Sequence, residues 1–291
     1  MSYKLTTYSP SCLEKQYEIG NHRLRQWLGA RQTPIERLQK IYSQPDFDPK
    51  TRFYALYNGE VVGFLTSKIK DKNAAIVEAN LEFPIVADGH EPIEDQLIDF
   101  AFNSLRNMGV QKVRTRVSEP WGNSVSLAKK YGYNQVELMW KNAELDVHKY
   151  KSANSNVDAE EVIESDFDEI RDIMIAFRKN TSVEAQAQID KLVSISERVT
   201  SWKIIREQGR IAAHDHLVQD IIDSNRARMN AIFATQEDLR DRIMNSHINA
   251  AIKTGINTID NFFFGPTVDM EGPYIEYGFE VAELWAFEKT L

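Results

Sequence analysis

Residues 76–133 read IVEANLEFPIVADGHEPIEDQLIDFAFNSLRNMGVQKVRTRVSEPWGNSVSLAKKYGY, and this stretch decides the fold. Apolar and polar residues alternate over 77–83, which predicts a strand with one buried face. A polar break then leads into a predicted helix over 92–108, and a second predicted strand covers 111–118. This order of strand, loop, helix and strand lets the loop and the helix N-terminus face a phosphate group.

The length and composition indicate two domains of ordinary size. A chain of 291 residues with 42% hydrophobic residues can fill two cores. We expect no membrane association, because no apolar run approaches the roughly 18 residues of a membrane span. The N-terminus also lacks the apolar segment of a signal peptide. Cys12 is the only cysteine, so an intramolecular disulfide is impossible and we expect a cytoplasmic location.

The charge is distributed unevenly along the chain. Of the 35 Lys/Arg and 43 Asp/Glu, residues 1–150 hold 20 and 18, a net charge of +2, and residues 151–291 hold 15 and 25, a net charge of −10. Neither half has the strongly basic character of a nucleic-acid-binding domain, so we expect no nucleic-acid partner. The change in charge supports a boundary near residue 150, where KSANSN (151–156) is the best linker candidate.

Glycines divide the two halves at similar intervals. In the first half they lie at 59, 109 and 132, and in the second at 209, 255 and 278, which gives intervals of 50 and 23 against 46 and 23. Each half also has a predicted hairpin, formed by Asn58-Gly59 in the first half and Gln208-Gly209 in the second. The predicted elements follow in the same order, so we interpret the chain as a duplicated α/β fold with domains at 1–150 and 151–291.

This pattern resembles the GNAT superfamily of acyl-CoA N-acyltransferases, in a tandem arrangement like that of mycothiol synthase. The resemblance implies two GNAT-like domains, each a mixed, mostly antiparallel sheet flanked by helices. It implies an acetyl-CoA-dependent transfer to a small-molecule or peptide amine, which attacks the thioester directly. The alternative is a catalytically silent pair that binds a ligand or organises an assembly.

The resemblance also implies where the CoA pyrophosphate binds. In the family, a loop with the pattern Arg/Gln-x-x-Gly-x-Gly/Ala holds it through backbone N–H groups. The corresponding loops here are residues 89–94 and 235–240, whose two glycine positions hold Pro92 and Glu94 in the first copy and Asp238 and Arg240 in the second. Because side chains hinder close backbone approach, we expect weaker acetyl-CoA binding than in proteins with intact loops. The acidic residues have a simpler explanation as helix caps.

The candidate cofactor-binding residues taken from this correspondence lie in or beside the two loops. They are Val86, Gly89, Ile93, Thr235, Leu239 and Arg240.

The family's general acid is a tyrosine four residues before the late glycine. Tyr274 occupies this position in the second copy, whereas the first copy has Ala128. Packing is the more common reason for a buried tyrosine, so Tyr274 is a candidate on one match. Glu78 and Glu82 are the candidate general bases. The second copy has other polar residues on the corresponding strand face: Arg226, Arg228 and Asn230. A solvated strand face explains both sets equally well.

Two further patterns combine charged or metal-binding side chains on one strand face. His214 and His216 have a spacing that can bind zinc, but the sequence places no third ligand, so we expect no metal. Lys112, Arg114 and Arg116 form a basic stripe, which fits either salt bridges to acids on helices or an anion pocket.

Overall fold

The computed structural model describes residues 2–151 and 159–291, which form two compact units. Unit 1 consists of Met1–Met139 and Glu283–Leu291, and unit 2 consists of Trp140–Ala282. From residue 152 onward, the predicted linker lies outside the described residues. The domain boundary at residue 150 therefore stays a prediction.

The described elements of the first copy run from residue 3 to residue 146. They are β1 Tyr3–Thr7, α1 Leu13–Leu24, α2 Ile35–Tyr42, β2 Arg52–Tyr57, β3 Glu60–Ile69, β4 Glu78–Leu81, β5 Ile85–Val86, α3 Glu94–Asn107, β6 Lys112–Val117, α4 Ser124–Lys130 and β7 Asn134–Asp146.

The described elements of the second copy follow from residue 160. They are β8 Glu160–Glu161, α5 Phe167–Arg178, α6 Ser182–Ser194, β9 Val199–Glu207, β10 Arg210–Gln219, β11 Arg226–Arg228, β12 Phe233–Ala234, α7 Glu237–Lys253, β13 Thr258–Phe263, α8 Gly272–Tyr277 and β14 Glu280–Thr290. Within the described residues, no helix combines the length and the apolar character needed to cross a membrane.

The hairpin and glycine predictions are confirmed. Asn58 and Gly59 have φ values of 53° and 87°, and Gln208 and Gly209 have values of 50° and 78°. These positive values are those of a tight hairpin turn that matches the strand twist. The helix-ending and late glycines of both copies also have positive φ, so the repeated glycines occupy equivalent backbone conformations.

Local chemistry sets several element boundaries. The apolar stretch over 76–86 is divided into β4 and β5, because Pro84 lies between them and has no N–H for a ladder. Pro34 is the N-cap of α2, and no side chain caps this helix. Helix α6 ends at Ser194, where the chain turns into β9.

Each unit has a mixed, largely antiparallel sheet. The strand order is β1-β2-β3-β4-β6-β14 in unit 1 and β8-β9-β10-β11-β13-β7 in unit 2. The only parallel pairs among the described strands are β4 with β6 and β11 with β13. Helix α3 of unit 1 buries Leu97, Ala101 and Leu105 completely, as its apolar stripe predicts.

The sheet of unit 1 is completed by a distant part of the sequence. Residues 285–290 of β14 pair with β6, from Trp285 opposite Val117 to Thr290 opposite Lys112. In unit 2, residues 141–146 of β7 pair with β13 in the same antiparallel sense. The closing strand of each unit thus belongs in sequence to the other copy of the repeat.

Phe287→Ala should destabilise unit 1, because Phe287 is 8% exposed and packs in the unit 1 core. Loss of a buried phenyl ring costs about 3 kcal/mol or more of the free energy of unfolding. Urea unfolding measures the loss, and hydrogen exchange of 112–117 locates it. The exposed Glu280 lies on the same strand, so Glu280→Ala is the control. Unchanged protection of β6 in Phe287→Ala would contradict the proposed contribution of β14.

Candidate active site

A fork opens in the sheet of each unit at the parallel strand pair. In unit 1 the last pair between β4 and β6 is Asn80 opposite Arg114, after which β5 pairs with β3 instead. In unit 2 the last pair between β11 and β13 is Arg228 opposite Asp260, after which β12 pairs with β10. Backbone groups and space become available where two strands diverge, so the forks are the natural candidates for a ligand site.

The start of α3 in unit 1 is occupied by the chain's own carboxylates. Glu91 Oε1 accepts a hydrogen bond from the Gly89 N–H at 3.2 Å. Glu94 is 8% exposed, and its Oε2 accepts from Asn123 Nδ2 at 2.5 Å. Burial raises the pKa of Glu94 above its ordinary value, which Asn123 only partly offsets. A buried carboxylate at this point repels a phosphate, so unit 1 is poorly suited to the predicted cofactor.

The fork of unit 1 lies beside a group of aromatic side chains. Phe83 and Tyr133 are buried, with ring centroids 5.8 Å apart, and Phe102 packs against Tyr133. Ala128 is also buried, and it stands where the family has its acid. The structure therefore gives unit 1 no proton donor at this position.

The remaining predicted residues of unit 1 have structural contacts. Val86 and Ile93 are buried in its core. Glu78 forms ion pairs with Lys70 at 2.9 Å and Lys112 at 3.6 Å, and the hydrogen bond from Lys70 holds its pKa below the ordinary value. Glu82 pairs with Arg116 at 2.6 Å. A paired, ionised carboxylate is a weak base, although the assignment of both residues stays a prediction.

The start of α7 in unit 2 is open. Its N-cap, Gln236, is extended and makes no side-chain capping bond. The first N–H groups of such a helix point out of its end without a partner. Glu237 and Asp238 are exposed there, in contrast to the buried Glu94 of unit 1. This helix end can accept an anion more easily than that of α3.

The three predicted residues of this loop differ in accessibility. Thr235 is exposed, and its N–H donates to Ala212 O at 2.9 Å. Leu239 is completely buried, so only its backbone can contact a cofactor. Arg240 is partly buried, and its buried Nε has no hydrogen-bond partner among the described residues. Its assignment as an anion-binding residue at the α7 N-terminus stays a prediction.

Tyr274 lies at the fork of unit 2. Its side chain is completely buried, and its hydroxyl oxygen accepts a hydrogen bond from the Ile232 N–H at 2.6 Å. Ile232 belongs to the segment that leaves β11 for β12, so the phenol is bonded to the diverging strand itself. Because the oxygen acts as acceptor here, the hydroxyl hydrogen is left to donate elsewhere. Burial raises the pKa of Tyr274 and keeps it protonated at neutral pH.

The basic stripe on β6 is neutralised by carboxylates of the same unit. Lys112 pairs with Glu288, and Arg114 with Glu137. Arg116 pairs with Glu82. The salt-bridge interpretation is therefore correct, although the acids lie on strands or next to β4 and not on helices.

The two histidines of β10 belong to a buried polar cluster in unit 2. His214 Nε2 accepts from the Trp202 indole N–H at 3.0 Å, and His216 Nε2 lies 3.0 Å from Asn230 Nδ2. Burial lowers the pKa of His214 to about 3 and that of His216 to about 4. Both rings are therefore neutral at pH 7.

Asp215 connects the cluster to two helices. It is completely buried, with Arg178 of α5 at 3.4 Å from one oxygen and His247 of α7 at 3.6 Å from the other. His247 Nδ1 in turn lies 3.0 Å from Ser201 Oγ. Burial alone would raise the pKa of Asp215, but the neighbouring His247, His216 and Arg178 hold it below its ordinary value.

Sequence reasoning identified His214 and His216, and it placed Asn230 only on a polar strand face. It missed Arg178 and His247, which come from two other parts of the chain that no local spacing connects to β10. The sequence gives no signal for them, since both have polar neighbours along the chain. Among the residues that the structure describes, no group of three or more His, Cys, Asp or Glu is arranged to hold a metal ion.

The fold is similar to that of solved acetyltransferase-family structures, one of which is a tandem GNAT protein. A GCN5-related N-acetyltransferase from Sphaerobacter thermophilus matches with a TM-score of 0.59 and 11% identity, over 99% of this chain and 95% of that one. A tandem GNAT protein from the clavulanic acid biosynthesis pathway matches with a TM-score of 0.61 and 10% identity, over 99% and 98%. An acetyltransferase of the GNAT family from Colwellia psychrerythraea gives 0.61 and 14%, over 98% and 99%.

These matches cover both copies, so the predicted tandem GNAT fold is confirmed. No family model matches the sequence, and no curated protein sequence matches it.

The buried histidines should make the protein unstable in acid. Their folded-state pKa values of about 3 and about 4 lie below the ordinary 6.5, so the unfolded chain binds more protons. The two histidines should thus make their full contribution to the free energy of unfolding above pH 6.5. As the pH falls toward 4, the free energy of unfolding should decrease by up to about 1.4 kcal/mol per pH unit for each histidine.

Urea unfolding between pH 7 and pH 4.5 measures this slope. His216→Gln should reduce it, whereas replacement of the exposed His148 by Gln should not. An identical slope in both variants would contradict the assignment.

Proposed function

We propose that this protein is an acyl-CoA-dependent N-acyltransferase that transfers an acetyl group to an amine, and that unit 2 binds the CoA. The observation that carries the proposal is the position of the Tyr274 hydroxyl at the fork of unit 2, near the open N-terminus of α7. The Tyr274 hydroxyl has no counterpart in unit 1, where Ala128 stands at the matching position, and the buried Glu94 there takes the place of Arg240. The tandem GNAT fold supports the same function.

The proposed mechanism requires few groups. The α7 N–H groups and Arg240 bind the pyrophosphate of acetyl-CoA, and the thioester lies in the fork. The amine attacks the carbonyl carbon, and the C–S bond breaks as the C–N bond forms. Tyr274 gives its proton to the departing thiolate, the proton lost by the attacking nitrogen passes to water, and the Tyr274 phenolate then takes a proton back from solvent. Burial raises the pKa of a thiol as well as that of a phenol, so the pKa values of the donor and of the acceptor change in the same direction within the fork.

Acetyl-CoA should bind to unit 2 with an affinity weaker than micromolar, because side chains replace both loop glycines. Arg240→Ala should weaken binding by about 10–100-fold, which is the loss of affinity expected when one charge-assisted hydrogen bond is removed. Calorimetry with the complete chain measures both affinities. Glu94→Gln, at the matching loop position of unit 1, is the control and should change nothing. A failure to bind at millimolar acetyl-CoA would refute the proposed function, and an effect of Glu94→Gln alone would move the site to unit 1.

Tyr274→Phe should lower kcat by about 10²–10⁴-fold and leave the affinity for acetyl-CoA unchanged, because only the donated proton is lost. The release of CoA thiol in the presence of an amine panel measures the rate. Tyr277→Phe is the matched control, since this neighbouring buried phenol donates to Asp241 and is not hydrogen-bonded to the segment between β11 and β12. Unchanged turnover in Tyr274→Phe would remove this residue from the mechanism.

A further inference from the structure

One face of the unit 2 sheet carries polar and aromatic residues beside the fork. Side chains two residues apart on a strand share a face, which places Arg226 and Arg228 together. Asn230 follows the end of this strand and contacts His216 of the neighbouring β10. Phe262 is on the same face, because it follows Asp260, the partner of Arg228. Asn142 is opposite Phe262 on the next strand.

We call the set of Asn142, His216, Arg228, Asn230 and Phe262 the fork surface. Helix α7 does not cover it, since α7 packs with Ala227, Ile259 and Phe263 on the opposite face.

The charges on this face are not evenly paired. Arg226 binds both nearby carboxylates, Asp260 at 3.1 Å through Nε and Glu144 at 2.5 Å through Nη2. Arg228 has no ion pair among the described residues. Its guanidinium lies 4.6 Å from the centre of the Phe262 ring and is exposed. A guanidinium held flat on an aromatic ring keeps its N–H groups available for a planar anion such as a carboxylate.

A second polar group stands two residues further toward the fork. Asn230 Nδ2 lies 3.0 Å from His216 Nε2, and the Asn230 backbone carbonyl accepts from Asn261 Nδ2 at 3.2 Å. His216 is neutral, so Nδ2 donates to it and the Asn230 side-chain orientation is fixed. The side-chain oxygen of Asn230 then has no partner within the described part of the chain and can accept a hydrogen bond from an amine.

We propose that the fork surface binds an amine that also carries a carboxylate, with Arg228 holding the carboxylate and Asn230 accepting a hydrogen bond from the amino group. This inference rests on the proposed function in one respect, namely that the bound amine is the acyl acceptor. Consecutive same-face residues of a strand are about 7 Å apart, a separation that the long Arg228 side chain can shorten. The substrate class is therefore that of amino acids and small peptides. Phe262 and the neighbouring Trp140 provide apolar contact for a side chain.

The net charge of −10 in residues 151–291 favours a different class, the polyamines and other polycations. The local arrangement opposes this, since the exposed charge of the fork surface is Arg228 and the adjacent acids are already paired with Arg226. Physiological salt screens charges that lie more than roughly 8 Å from a bound ligand. The single unpaired guanidinium of Arg228, which contacts the ligand, therefore has a stronger electrostatic effect on it than the distant acidic residues.

The test uses pairs of amines that differ only by a carboxylate: L-phenylalanine with 2-phenylethylamine, and L-lysine with cadaverine. Binding to the complete chain is followed by thermal shift and by tryptophan fluorescence, without acetyl-CoA. We expect each amino acid to bind about tenfold or more tightly than its partner. Arg228→Met should abolish this preference, Arg228→Lys should keep part of it, and Lys253→Met, which removes another exposed cation of unit 2, should keep all of it.

Equal binding of both members of each pair, a preference for cadaverine, or an unchanged preference in Arg228→Met would overturn the inference. Transfer of the acetyl group is assayed separately with the same amines. Carboxylate-dependent binding without transfer supports the fork surface and contradicts the proposed function. Transfer without any carboxylate preference supports the proposed function and contradicts the fork surface.

Discussion

The candidate site in this protein depends on one constraint of parallel pairing: three residue pairs join β11 to β13, and then the strands separate. Beyond Arg228 and Asp260 the chain continues from β11 to β12, which pairs with β10, whereas β13 stays paired with β7 along its whole length. The backbone groups of the intervening segment must be satisfied by other atoms. The Ile232 N–H is satisfied by Tyr274, and the Asn230 carbonyl by Asn261. The Met229 N–H still donates to Asp260 O at 2.9 Å, so it is beyond Met229 that side chains take over from sheet hydrogen bonds at the fork.

The two copies differ at the fork and at the start of the helix that follows it. In unit 1 the helix start holds a buried carboxylate, and aromatic rings pack beside the fork, so the elements of the fold serve stability. In unit 2 the helix start is open, and polar groups remain on both faces of the sheet. A duplicated domain that retains one site and fills the other keeps its architecture, because the hairpins and glycine turns do not depend on the ligand.

The sequence predicted the features that rest on local chemistry. The Asn58-Gly59 turn, the buried stripe of α3 and the repeated glycines follow from backbone preference and periodicity, and all are confirmed. The cluster around Asp215 could not be predicted, because its members meet only after folding and come from β10, α5 and α7. The different surroundings of Glu94 and Arg240 could not be predicted either. The two residues occupy the same position of the repeated loop, but they differ in burial and in hydrogen-bond partners, which the sequence does not show.

The exchange of closing strands has a consequence for the order in which the protein is made. Synthesis proceeds from the N-terminus, so residues 1–139 leave the ribosome well before residues 283–291. Until the latter arrive, β6 has an unpaired edge, and the apolar groups that Phe287 covers are exposed. The whole of unit 2 is synthesised in this interval. Unit 1 therefore begins to fold first but is the last to be finished, and a nascent chain must protect an open sheet edge for most of its synthesis.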